Sequence, residues 1–207
     1  MKTITLYIAI IFSTLSLAQG NYEQGMNKAF EFWMNDQRDQ AANLFERIAK
    51  AEQDNWVPHY YVTQINILKS WNVKDEAVLK AQLDKAQEHL NSANALSPDN
   101  PELMILQAQI YTNWIAFDGM TYGMKYSTKI TEIYKKAHSI DPGNPRVVLS
   151  KAEWDMGSAR YFGQDPTPHC EKVKQAIALF DTYEVDGEFH PDWGREHAKN
   201  VMASCNQ

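Results

Sequence analysis

The residues whose types and spacing could do chemistry gather near the C-terminus, in the run Asp186-Gly-Glu-Phe-His190-Pro-Asp192-Trp-Gly-Arg-Glu196-His197. If a helix starts at Pro191, Asp192 and Glu196 lie one turn apart on a single face, and His190 can approach both. Carboxylate oxygens and an imidazole so arranged are ligands for a divalent metal. The same residues also make a solvated turn and a helix N-terminus, where acidic side chains complement the macrodipole. This second reading is preferred, and no metal is assigned. His59, His89 and His138 are scattered and read as packing or capping residues.

No motif supports catalysis. The chain has no glycine-rich phosphate loop, G-x-S-x-G, H-E-x-x-H or C-x-x-C. His169 and Cys170 are neighbours, but successive helical residues point about 100° apart, which suits a thiolate–imidazole pair poorly. The chain is therefore read as non-enzymatic and without a cofactor. Its two cysteines make a different pair. With an antiparallel turn near Asp186-Gly187, Cys170 lies 16 residues before Asp186 and Cys205 lies 19 after it, so the ends meet. A disulfide is expected in an oxidising compartment, clamping the last helix by about 3–4 kcal/mol in the chain-entropy model.

The elements that position these residues are helices. Ala86, Leu90 and Ala93 recur at i, i+4 and i+7, the spacing of one helical face. Ser97-Pro98-Asp99-Asn100 then breaks the helix, Asn100 is suited to cap the next one, and Pro101 fits its first position. Met104, Ala108 and Tyr111 form the following face. The junction returns at residues 137–145, with Pro101 and Pro145 44 residues apart, and more loosely at residues 188–191. A fixed period of this length means stacked supersecondary units. The expected hairpins are 22–35 with 39–52, 58–71 with 76–96, 101–117 with 123–140, and 145–160 with 167–183, followed by a lone helix at 191–203 that caps the stack.

Composition bounds the rest. Hydrophobic residues make up 44% and charged residues 22%, enough for a core in one domain, residues 19–207. Residues 1–18 carry Lys2, an apolar run and Ser16-Leu17-Ala18, the pattern of a signal peptide cleaved before Gln19. The apolar run is shorter than the ~20 residues of a spanning helix, and no cysteine near the site offers a lipid anchor. Removing Lys2 takes the net charge from −6 to −7. An acidic chain without a basic patch argues against nucleic acid.

This pattern resembles the tetratricopeptide repeat family, whose hairpins carry small and aromatic residues in helix A, then alanine, aromatic and alanine in helix B, then proline. Ala108 and Tyr111 match helix A. Ala86, Leu90, Ala93 and Pro98 match one helix B, and Tyr134, Ala137 and Pro142 the next, with Ile130 replacing an alanine. Ala41 and Phe45 match the first repeat, and Ala176 and Phe180 the last. The resemblance implies an all-α, right-handed superhelix of four hairpins plus a capping helix. It departs from the family's 34-residue period, because three repeats are lengthened by ten to twelve residues between their A and B signatures.

The resemblance also implies a concave groove lined by helix A. The family register maps it to Tyr60, Gln64, Ile105, Gln109, Asn113, Leu149 and Glu153. That surface is rich in amides and lacks the basic clamp that the family uses for peptide carboxylates. The inserted segments add Trp71, Trp114, Phe117, Tyr122, Tyr161 and Phe162 along the A–B edge. These either pack extra helical turns on one another or form a recognition edge. The resulting expectation is an exported scaffold, periplasmic or secreted, that binds a protein or peptide in its groove or along this edge. The alternative is a carrier of a small molecule or glycan, using an aromatic pocket in the inserted segments.

Overall fold

The computed structural model describes residues 20–205. The expected signal peptide lies outside the described residues. The described residues hold α1 (20–34), α2 (Arg38–Ala51), α3 (Trp56–Ser70), α4 (Glu76–Leu96), α5 (Pro101–Phe117), α6 (Gly119–Ile140), α7 (Pro145–Tyr161), a 3₁₀ turn (Thr167–His169), α8 (Cys170–Phe180) and α9 (Arg195–Cys205). They contain no strand.

The junctions follow from side-chain capping. The Asn100 side chain accepts from the Glu102 N–H, and Asn144 accepts from Arg146 and Val147, each with a proline at the next position. Asp75 and Asp118 cap α4 and α6 in the same way. Asp118 alone separates α5 from α6, so the second helix of the third hairpin begins at Gly119 rather than Gly123. The inserted residues are helical turns there, not loop.

Helix α3 packs on α4, α5 on α6, and α7 on α8. The odd-numbered helices also touch one another, α3 with α5 and α5 with α7, which makes them a continuous inner layer. The result is an all-helical, hairpin-by-hairpin solenoid. Its core forms where the sequence pattern put it: Ala41, Phe45, Ala86, Leu90, Ala93, Ala108, Ile130, Tyr134, Ala137, Ala176 and Phe180 are all buried. Each fully buried leucine or isoleucine, such as Leu90 or Ile130, contributes about 1.5–3 kcal/mol. The alanines let neighbouring helices approach closely.

The C-terminal end differs from expectation. Helix α8 stops at Phe180, and the last helix starts at Arg195, not Pro191. Gly194 has φ +112°, and a Cβ there would come within 2.7 Å of Phe180 Cζ. Only glycine fits that turn. Residues 181–194 therefore form a non-helical arm, and Asp192 and Glu196 do not share a helix face. Helix α9 does cover the end of the stack, packing Ala198, Val201 and Met202 on Val148, Leu149, Ala152, Val173 and Ala176.

Candidate functional site

The arm and α9 do not project into solvent. They lie across the inner layer. The Phe189 ring meets Tyr22 edge-on at 5.7 Å and Phe30 face-to-face at 5.9 Å. The Tyr61 hydroxyl donates to the Phe189 carbonyl at 2.7 Å, and the Trp193 indole N–H donates to the Tyr60 hydroxyl at 2.6 Å. His190 packs on Trp56 at 5.0 Å, and His197 pairs with Glu153 of α7 at 2.6 Å. Cys170 and Cys205 are disulfide-bonded, with Cα atoms 6.0 Å apart, which ties the end of α9 to the start of α8.

These contacts shift the ionisable groups. Burial raises the Tyr60 hydroxyl well above its ordinary value and raises Tyr61 also. Burial lowers His190, which favours a neutral imidazole. The hydrogen bond to Glu153 raises His197, which favours the imidazolium.

Between the arm and the first two odd helices lies a cavity of about 490 Å³. Its walls are Phe30, Trp33, Met34, Tyr61, Gln64, Phe189, His190, Asp192 and Trp193. The Phe30 and Trp33 planes are within 7° of parallel. Aromatic faces, one thioether and one imidazole suit a flat, largely apolar molecule, with only Gln64 and Asp192 as additional polar groups.

Of the groove positions expected from sequence, Tyr60, Gln64, Ile105, Asn113 and Leu149 are buried. Ile105 faces the core between α5 and α6, and Leu149 lies in the cluster covered by α9. Tyr60 is closed over by Trp193, and Glu153 is engaged by His197. Gln109 stays half-buried, and Gln64 alone of the seven reaches the aromatic cavity. At Tyr60 the physical reason for burial is the arm, which lies over that part of the inner face, and at Ile105 it is the helix register, which turns the side chain into the core. His190 lies in the arm, packed on Trp56, and Glu196 lies on α9, so His190, Asp192 and Glu196 do not share one helix face. Among the described residues, no group of three His, Cys, Asp or Glu side chains could hold a metal.

The edge aromatics divide. Trp114 packs on Tyr122 at 4.8 Å, Tyr122 on Tyr126 at 6.0 Å, and Tyr126 on Tyr111 at 4.5 Å, so this part is a ladder between α5 and α6 rather than a pocket. Phe117 packs against the first core cluster. Trp71, Tyr161 and Phe162 are exposed, the last two at 67% and 72%. Sequence reasoning missed Phe30, Trp33, Met34, Phe189 and Trp193 as one site. The available signal was two large apolar residues, Phe189 and Trp193, in an otherwise polar run.

No family model matches the chain, and no curated protein matches it. Solved structures do. The fold is similar to that of the HusA haemophore from Porphyromonas gingivalis, with TM-score 0.77 at 20% identity, covering 89% of this chain and 92% of that one. A thermophilic tetratricopeptide repeat protein from Thermus thermophilus aligns with TM-score 0.45 at 12% identity over 89% of this chain and 98% of that one. The first likeness establishes a shared fold.

Proposed function

We propose that this chain is an exported, non-enzymatic carrier that binds a flat, apolar ligand of the tetrapyrrole class in the aromatic cavity beneath its C-terminal arm. The observation that carries this reading is the cavity itself, walled by Phe30, Trp33, Tyr61, Phe189 and Trp193. Such a wall offers a macrocycle apolar surface to bury and stacking worth about 0.5–1.5 kcal/mol per aromatic pair beyond area burial. His190 and Met34 are the side chains there with a nitrogen or sulfur donor for a central iron. The haemophore of the same fold supports this ligand class. The cavity lies by α1 and α3, so the carrier reading no longer needs a pocket in the inserted segments.

The test is an absorbance titration of residues 19–207 with haemin and with metal-free protoporphyrin. A saturable change with both, weakened tenfold or more by Trp33→Ala, supports the reading. Tighter binding of haemin that is lost in His190→Ala assigns the iron ligand. No saturable change with either compound overturns it.

A second reading is favoured by one observation. Met120, Met124, Tyr161, Phe162 and Trp71 are exposed along the A–B edge. Under this reading the protein is an envelope scaffold of the tetratricopeptide type, which docks a protein partner on that edge. Cross-linked capture that is lost on Tyr161→Ser with Phe162→Ser supports it.

A further inference from the structure

Helices α3 and α4 face each other through a pair of imidazoles that neither the aromatic cavity nor the arm uses. His59 of α3 and His89 of α4 bring their Nδ1 atoms to 2.9 Å, with ring centroids 5.1 Å apart. Both residues are half-buried. Two ring nitrogens at this distance share one hydrogen: one Nδ1–H donates, and the other Nδ1 accepts with its bare lone pair. The bond holds with both rings neutral. It also holds with one proton added, because an imidazolium is the stronger donor. A second proton takes the accepting lone pair. Two N–H donors and two positive charges then face each other, and the contact is lost.

The surroundings keep the pair short of protons. Burial lowers both histidines, and the charge of His59 lowers His89 further. The charged groups that act on the pair are Glu46 of α2 and Lys85 and Glu88 of α4. Glu46 is ion-paired with Lys85, so these two largely offset each other. Glu88 is exposed, and solvent screens it.

The next helix pair is joined without a titrating group. Gln87 of α4 and Gln107 of α5 exchange two amide hydrogen bonds of 2.9 Å each. That contact is the same at every pH in the physiological range, whereas the imidazole contact lasts only while one lone pair stays free. The imidazole pair is also placed to matter. His59 directly precedes Tyr60 and Tyr61, whose hydroxyls seat Trp193 and Phe189 of the arm.

We propose that the His59–His89 pair is a proton-operated latch between α3 and α4, closed at neutral pH and open in acid, whose opening loosens the turn of α3 that seats the arm. Because the folded chain holds these rings less protonated than the unfolded chain does, their contribution to stability is complete above the unfolded value of about 6.5 and is lost as pH falls below it. The latch does not depend on which ligand the aromatic cavity takes.

The test is hydrogen-exchange mass spectrometry of the disulfide-bonded chain, residues 19–207, at about pH 7.5 and about pH 5, on either side of the ordinary histidine value. Rates are corrected for the intrinsic pH dependence of exchange. Segments of α3, α4 and the arm are expected to exchange about fivefold faster or more in acid, through local opening. His89→Asn keeps a hydrogen-bonding group near the Nδ1 position but takes no proton, and is expected to cut that acceleration to about twofold or less. His190 and His197 titrate in both proteins, so the difference between the two reports the latch. The proposal is overturned if α3 and α4 keep their protection in acid, if the arm keeps its protection while they lose theirs, or if His89→Asn responds as the parent does. If His89→Asn does not fold, His59→Asn, which removes the other ring, decides. Imidazole titration of the parent chain by NMR needs no variant: one of the two rings is expected to take its proton only below about 6.5, and two ordinary titrations overturn the latch.

Discussion

Cutting the Cys170–Cys205 bridge is the perturbation whose size can be worked out most directly. The bridge spans a sequence separation of 35. In the chain-entropy model a closed loop of that length restricts the unfolded chain by roughly 13 cal/mol/K, or about 4 kcal/mol at 25 °C. A chain of this size unfolds with an entropy of about 0.4 kcal/mol/K, so Cys205→Ser is expected to lower Tm by about 10 °C. The loss should not be uniform. Helix α9 and the arm are held to the inner layer by few groups: Phe189, Trp193, the His197–Glu153 pair and the small apolar face of α9. Without the bridge, amide exchange should therefore accelerate first in residues 186–205, while α3 and α4 keep their protection. Circular dichroism melts of oxidised, reduced and Cys205→Ser protein, with exchange mass spectrometry of each, make the comparison. A Tm change below about 2 °C, or unchanged exchange in the arm, would refute the idea that the bridge clamps this segment.

Three further outcomes follow from the same segment. Gly194→Ala introduces a Cβ within 2.7 Å of Phe180 and a side chain at φ +112°, and should destabilise by about 2 kcal/mol or more in urea denaturation, with α9 loosened. Tyr60→Phe removes the acceptor for the Trp193 indole N–H and should cost about 1–2 kcal/mol, visible as a change in Trp fluorescence on denaturation at lower urea. His197 is raised by Glu153, so its pairing stabilises fully below the unfolded value of about 6.5 and is lost as pH rises through the higher folded value. Because the pair is largely exposed, the effect is about 1 kcal/mol at most, and the Tm difference between parent and His197→Gln should shrink from pH ~6 to pH ~8.

The helical stack was legible because its signals are local. Alanine and leucine at helical spacing and the Asn-Pro junctions at 100–101 and 144–145 fix helix faces and helix starts without reference to distant residues. The cysteines could be paired because the two helices that carry them are joined by a short, turn-rich segment. The site was not legible, for a physical reason. Tyr60 and Leu149 stand where a helix A residue faces the groove, but whether such a position is open depends on what lies over it. Over Tyr60 it is an arm more than a hundred residues away in sequence, seated by the Trp193–Tyr60 and Tyr61–Phe189 hydrogen bonds. Gly194 was the missed hint: a glycine between Trp193 and a helical run is where a chain can turn sharply before the helix begins. The edge ladder was half legible. Trp114 and Tyr122 were placed on the inserted turns, but their contact with each other follows from Asp118 closing the α5–α6 turn in a single residue.

The most direct test of the carrier reading uses the chain's own indoles. The protein has six tryptophans, spread over the aromatic cavity, the start of α3, the edge and α7. A ¹H–¹⁵N spectrum of residues 19–207, titrated with metal-free protoporphyrin, reports on each indole N–H separately. Binding in the aromatic cavity should move Trp33 and Trp193, which line it, and leave Trp71, Trp114 and Trp154 in place. Movement of Trp71 or Trp114 with Trp33 and Trp193 unmoved, or no movement at all, would contradict the account.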